Sequence, residues 1–313
     1  FDSLFIKSIL RMKKTIRFLG VVIVSTMLCI NLASAEQPKI PFSAGVFPQE
    51  MRVFHTEKEG LPSNDVWAVV VAKNGRVVAR TAMGDAVLND GKWSATNDFT
   101  DLFKAKKNVP IAMRAVLNKA GAVLVVARGP EGQVAVGTER GLFLSDHEGT
   151  RQVFPRDGNK SWAPTGVTVS YDGLGRLWFA SYQGAGRYGK GVWSLYTGAE
   201  GLPYDDMSAV AGCADGTVWF GTAIGAIRFD GSAWAYRQGK RWLPGDEVRD
   251  IAVDAGGNAW VATAGGLSFI HFKDMTLAEK AKYYEDEIDR HHRRTEFGYV
   301  IDAHAPVQGK KEN

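Results

Sequence analysis

SAVAGCADGTVWFGTAIGAIRFDGSAWAYRQ, residues 208–238, is the stretch on which the reading of this chain turns. Its first apolar run, with Val210 and Ala211, ends at an Asp215-Gly216 turn, and a Trp-rich run follows over 218–222. A turn containing Gly225 leads to a third run over 226–229, and Asp230-Gly231 leads to a fourth around Trp234 and Tyr236. Short runs rich in aromatic and β-branched residues, punctuated by Asp-Gly, are the signal of antiparallel hairpins. The stretch therefore predicts one four-stranded sheet.

The second of these strands recurs along the chain. It reads GRVVART ending at Thr81, GQVAVGT ending at Thr138, GRLWFAS ending at Ser181, GTVWFGT ending at Thr222 and GNAWVAT ending at Thr263. The spacings between these ends are 57, 43, 41 and 41 residues. A period of about 40–45 residues with four strands per unit predicts an all-β fold, a β-propeller of about five four-stranded blades. The long first spacing predicts an insertion within 97–121, around Lys104, Lys106 and Lys107, or else a degenerate sixth blade.

The two ends of the repeat fit ring closure. Met51 to Thr56 leads into Glu59-Gly60-Leu61-Pro62 just as 193–197 leads into Glu200-Gly201-Leu202-Pro203, so the repeat opens on an outer strand. The last repeat, 249–272, shows three strands and no fourth. Pairing the first strand with the last blade would remove an open sheet edge. The expected layout is upstream residues and a leader over 1–35, a linker over 36–50, the propeller over 51–272, and a C-terminal α-helix with a tail over 273–313.

The leader reading rests on Lys13, Lys14 and Arg17, an apolar run over 18–32, and Ala33-Ser34-Ala35, the three parts of a secretory signal peptide. About 15 apolar residues fall short of the roughly 20 that span a bilayer. The expectation is a periplasmic or secreted protein with no membrane association after cleavage. The whole chain carries 38 basic and 34 acidic residues; 1–35 hold five of the basic and one of the acidic, leaving 33 of each. A neutral mature chain offers no electrostatic footprint for nucleic acid. Only Cys213 survives cleavage, which excludes an internal disulfide.

The run Leu61-Pro62-Ser63-Asn64-Asp65-Val66, its counterpart Leu202-Pro203-Tyr204-Asp205-Asp206-Met207, and the strands around Trp219 and Trp260 resemble the two-component regulator propeller repeats of bacterial sensor proteins. The resemblance covers roughly 50–272; the repeats ending at Thr81 and Thr138 lack the Trp. It implies an extracytoplasmic sensing or binding module and brings no catalytic residues with it. The stretch MTLAEKAKYYEDEIDRHHRRTEFGYV, 275–300, is also similar to a linker of larger exported proteins in which a propeller precedes a carbohydrate-active α-helical toroid. That likeness implies a second domain beyond Asn313.

Two groups are candidates for binding. Asp65, Asp206 and Glu247 each follow Leu-Pro-x-x and directly precede an inner strand, with Asn64, Asp205 and Asp246 one position earlier. They either ring one channel opening, where carboxylates suit cations or sugar hydroxyls, or cap their own loops. The second group is Tyr182, Arg187 and Tyr188 in SYQGAGRYGKG, which reads as a loop longer than its counterparts and suited to stacking on a sugar, or else as surface decoration. Glu285, Asp289 and His292 share a helical face, but ion pairs Asp286–Arg290 and Asp289–Arg293 explain those charges more simply. Trp67, Trp93, Trp178, Trp193, Trp219, Trp234 and Trp260 recur by blade position, which points to packing. No motif calls for a cofactor, a metal or a catalytic set. The expectation is a binding or sensing module whose partner is a glycan or a protein at the propeller face; the alternative is the propeller portion of a carbohydrate-active enzyme, a polysaccharide lyase or hydrolase.

Overall fold

The computed structural model describes residues 45–292. The leader and the C-terminal tail lie outside that range, as do the side chains of His291, His292 and Asp289. Two compact units divide the chain, and residues Phe47–Met275 form the larger.

That unit contains five four-stranded antiparallel sheets and a two-stranded hairpin, Arg156–Asp157 with Lys160–Ser161. Blade 1 runs from Val66–Val71 to Lys92–Ala95, blade 2 from Val123–Arg128 to Gly149–Val153, and blade 3 from Thr168–Tyr171 to Val192–Tyr196. Blade 4 runs from Met207–Gly212 to Trp234–Arg237. Blade 5 takes three strands from Val248–Val253, Ala259–Thr263 and Gly266–Met275, and its outermost strand is the N-terminal Phe47–His55. That strand pairs antiparallel with the last along its whole length, from Phe47 opposite Met275 to His55 opposite Leu267. The open edge that the repeat count implied is thus covered by the chain's own beginning.

The recurring Thr explains its own place in the repeat. The hydroxyls of Thr81, Thr138, Thr222 and Thr263 donate to the carbonyls of Gly84, Gly141, Gly225 and Gly266 at 2.8–3.0 Å. Each also accepts an N–H inside the same two-residue turn, so a hydroxyl closes the hairpin in four blades. Thr56 and Thr197 likewise begin matching turns, each with a capping box to Glu59 or Glu200 and a left-handed Gly60 or Gly201.

Apolar clusters join neighbouring blades. Trp178 and Phe220 pack between blades 3 and 4, Trp219 between blades 4 and 5, and Trp260 with Trp93 between blades 5 and 1. The seam between blades 1 and 2 is built differently. Here the insertion intervenes as two short helices, Thr100–Ala105 and Ile111–Arg114, and a single turn Val116–Lys119. Phe103 is buried against Val78 and Val87 of blade 1, while Met113 and Leu117 are buried against Val126 and Phe143 of blade 2. The excess residues are therefore a wedge in a five-bladed ring and form no sixth blade.

The second unit includes the helix Leu277–His292. Thr276 and Glu279 form its expected capping box, with the Thr276 N–H donating to the Glu279 carboxylate at 2.8 Å and the Glu279 N–H donating to the Thr276 hydroxyl at 3.3 Å. No helix among the described residues is long and apolar enough to cross a membrane.

Candidate functional site

The innermost strands of the five blades surround a channel of about 950 Å³. One of its mouths is set by the starts of these strands, because Val66, Met207 and Val248 lie opposite Thr81, Thr222 and Thr263 at the same end of each sheet. Asp65, Asp206 and Glu247 therefore stand at one end of the ring.

Their surroundings differ. Asp65 accepts from the Arg249 guanidinium of blade 5 and from the Trp67 indole N–H at 3.0 Å. Asp246 accepts from the Gly239 N–H at 3.1 Å, and Asn64 in the same loop position accepts from the Glu57 N–H at 2.8 Å. These two side chains cap their own loops. Asp205, Asp206 and Glu247 are exposed, and their side chains make no hydrogen bond or ion pair among the described residues. No group of three or more His, Cys, Asp and Glu side chains comes together there as a metal site, among the described residues.

The mouth is shaped by β-bulges. The pairing of innermost and second strands slips between Val66 and Ala68, Val123 and Val125, Met207 and Ala209, and Val248 and Asp250. A bulge leaves one residue unpaired and re-aims its side chain. The residues so released are Trp67, Leu124, Ser208 and Arg249, and all four line the channel. The Ser208 hydroxyl donates to the Val248 carbonyl and Arg249 reaches Asp65, so blades 4, 5 and 1 are joined at this rim. The Arg249 guanidinium lies 5.3 Å from the Trp67 ring centre.

Trp67 is 58% exposed, which corrects its assignment to blade packing. The other recurring Trp residues sit on the second and fourth strands and pack into the apolar clusters; Trp67 sits on a bulge of the first strand. An aromatic residue directly after an Asp-Val at the start of an innermost strand was the available signal.

The stretch SYQGAGRYGKG is also corrected. It contains no expanded loop: Gly184–Gly189 is a regular strand paired with Leu177–Ser181 and with Val192–Tyr196. Its glycines answer to packing and turning. A Cβ on Gly186 would lie 2.0 Å from the Phe179 ring, and Lys190-Gly191 make a hairpin turn with φ of 52° and 79°. The three candidate side chains are consequently dispersed. Tyr182, 66% exposed, lies at the mouth end with its ring over Gly166. Arg187 lies over Trp178 and donates to Ser194 at 3.1 Å. Tyr188 sits at the opposite end, roughly 20 Å along the strand from Tyr182. Its ring packs tilted against Trp193, centres 4.7 Å apart, and it lines a separate cavity of about 520 Å³ with Tyr171 and Asp146.

No protein-family model matches the chain, and no curated protein does. Solved structures do. The extracellular domain of the hybrid two-component system BT3049 from Bacteroides thetaiotaomicron matches at 20% identity and TM-score 0.40, over 69% of this chain and 29% of that one. The corresponding domain of BT4673 from the same organism matches at 14% and 0.44, over 65% and 32%. A structural-genomics protein of unknown function from Bacteroides thetaiotaomicron matches at 9% and 0.50, over 72% and 77%. This chain spans under a third of the length of the two sensor domains. At these identities what is shared is the fold: the chain is a β-propeller of five blades closed by its own N-terminal strand.

Proposed function

We propose that this chain is an extracytoplasmic binding module whose propeller takes a glycan at the channel mouth. The observation that carries the reading is Trp67, a large aromatic released by a bulge onto an open rim and held in orientation by its N–H bond to Asp65. An exposed indole offers a flat apolar face for the C–H side of a sugar ring, and the Asp and Arg side chains beside it suit hydroxyls. Asp206 and Glu247 on the same rim supply further acceptors without local partners. The leader pattern over 1–35 supports export to the periplasm or beyond.

The test is binding of the purified protein to an array of neutral and acidic polysaccharides, beside Trp67→Ala and Asp206→Ala. Trp67 is exposed, so its replacement spares the core. Retention on at least one glycan that Trp67→Ala abolishes is the expected result. Binding that is the same in both proteins would move the site elsewhere, and binding to no glycan would overturn the reading.

A further inference from the structure

We infer that the channel selects an anionic saccharide, and that the wedge between blades 1 and 2 provides the selectivity. This inference rests on the glycan reading and adds the ligand's charge. The channel lining includes six cationic side chains, Arg80, Lys104, Lys106, Lys107, Arg128 and Arg249, and a single carboxylate, Asp250. Four of the six have a carboxylate partner: Arg80 with Asp85, Lys104 with Asp101, Lys106 with Asp250, and Arg249 with Asp65. Lys107 and Arg128 have none among the described residues. The Arg128 guanidinium donates only to the Asn108 carbonyl, at 3.2 Å, and the Lys107 ammonium is exposed.

The placement of these charges is specific to one seam. Three of the six come from the insertion, and Arg128 ends the innermost strand of blade 2 that flanks it. An open cleft of about 330 Å³ adjoins the channel there, sharing Lys107 and adding Arg114, which also lacks a carboxylate partner among the described residues. Lys107, Arg114 and Arg128 thus place three cations without carboxylate partners along the blade 1–2 seam, while Arg249 of blade 5 lies at the mouth beside Trp67, paired with Asp65. The innermost strands are about six residues long, so the seam extends over roughly 20 Å. Cations spread over that length suit a linear ligand with a carboxylate on successive residues, because each can make a charge-assisted contact with one carboxylate, and exposed contacts of this kind weaken as salt rises. The overall neutrality of the mature chain makes the local excess a property of this site.

The experiment compares two forms of one polymer, polygalacturonate and its fully methyl-esterified form, which share a backbone and differ in the methyl esters that remove the charge. Affinities are measured by calorimetry for the wild-type protein, Lys107→Gln, Arg128→Gln and the double variant, at about 0.05 M and about 0.5 M NaCl. Lys107 is exposed, so Lys107→Gln keeps the fold intact, and circular dichroism verifies each variant. The expected result is binding of the acid form alone, weakened roughly tenfold by each substitution and further by salt. Equal affinity for the two polymers would overturn charge selection and leave the glycan site standing. Binding of neither polymer, with a neutral glycan bound instead and lost in Trp67→Ala, would do the same. An oligonucleotide bound as tightly as the uronate would overturn the saccharide assignment.

Discussion

Lys106 and Asp250 meet inside the channel, one from the wedge after blade 1 and the other from the innermost strand of blade 5. The Asp250 carboxylate also accepts the Val69 N–H at 2.9 Å, and the Lys106 ammonium donates to the Val69 carbonyl at 3.0 Å. Both backbone groups of one residue on blade 1 are thereby held by this pair.

Removing the acceptor leaves the Val69 N–H without its partner and the Lys106 ammonium with the Val69 carbonyl alone, so Asp250→Ala is expected to lower stability by about 1–3 kcal/mol. Asp250→Asn keeps an oxygen for the Val69 N–H and should lose less. Urea denaturation measures both, and an unchanged midpoint for Asp250→Ala would show that the pair contributes nothing to ring closure.

His55 lies where the N-terminal strand completes blade 5, stacked 5.3 Å from Trp260 and edge-on to Trp93 at 5.8 Å. It is buried, and its Nδ1 has no hydrogen-bond partner. Burial holds its pKa below the ordinary 6.5, with the Glu59 charge acting weakly the other way. The unfolded chain therefore takes up a proton at higher pH than the folded one. The stability this group supports is whole above pH 6.5 and is lost as pH falls below it. Melting temperatures at pH 7.5 and 5.5 should diverge in the wild type and converge in His55→Phe. Equal slopes in the two proteins would refute the assignment.

Cys213 is buried, and burial pushes its thiol up to about 12. The thiolate is the reactive form, so Cys213 in the native protein at pH 8 should resist alkylation by iodoacetamide and react once the chain is unfolded. Mass spectrometry reads the difference, and rapid native labelling would mean that blade 4 opens locally.

Gly137 occupies the penultimate position of the blade 2 repeat strand. A Cβ there would lie 2.1 Å from the Val167 carbonyl oxygen of the adjoining segment, which is backbone and cannot turn aside. Gly137→Ala should cost about 1–3 kcal/mol through overpacking. Gly198→Ala, where nothing lies within 4 Å, should be close to neutral in the same denaturation assay.

Much of the fold was legible because its determinants are local. The five strands ending at Thr81, Thr138, Ser181, Thr222 and Thr263 carry their own hairpin turn in the side chain that names them. The outer strand before Glu59-Gly60-Leu61-Pro62 was recognisable as a displaced fourth strand, since it matches the strand before Glu200-Gly201-Leu202-Pro203. The site was legible in part. The Leu-Pro-x-x-acid spacing placed Asp65, Asp206 and Glu247 at one end, because every blade repeats the same strand directions.

By itself the sequence determined the repeat and the displaced outer strand that closes the ring, because alternation, Asp-Gly turns and the Thr-x-x-Gly hairpin act within a few residues; that the insertion is a wedge and not a sixth blade only the structure decided. Tertiary structure alone decided which side chains face the channel. A one-residue bulge re-aims Trp67 and Arg249 without any change in local pattern, and a regular strand carries Tyr182 and Tyr188 to opposite ends. Lys106 finds Asp250 across 144 positions of sequence only because the wedge fills the one seam that the innermost strands do not close.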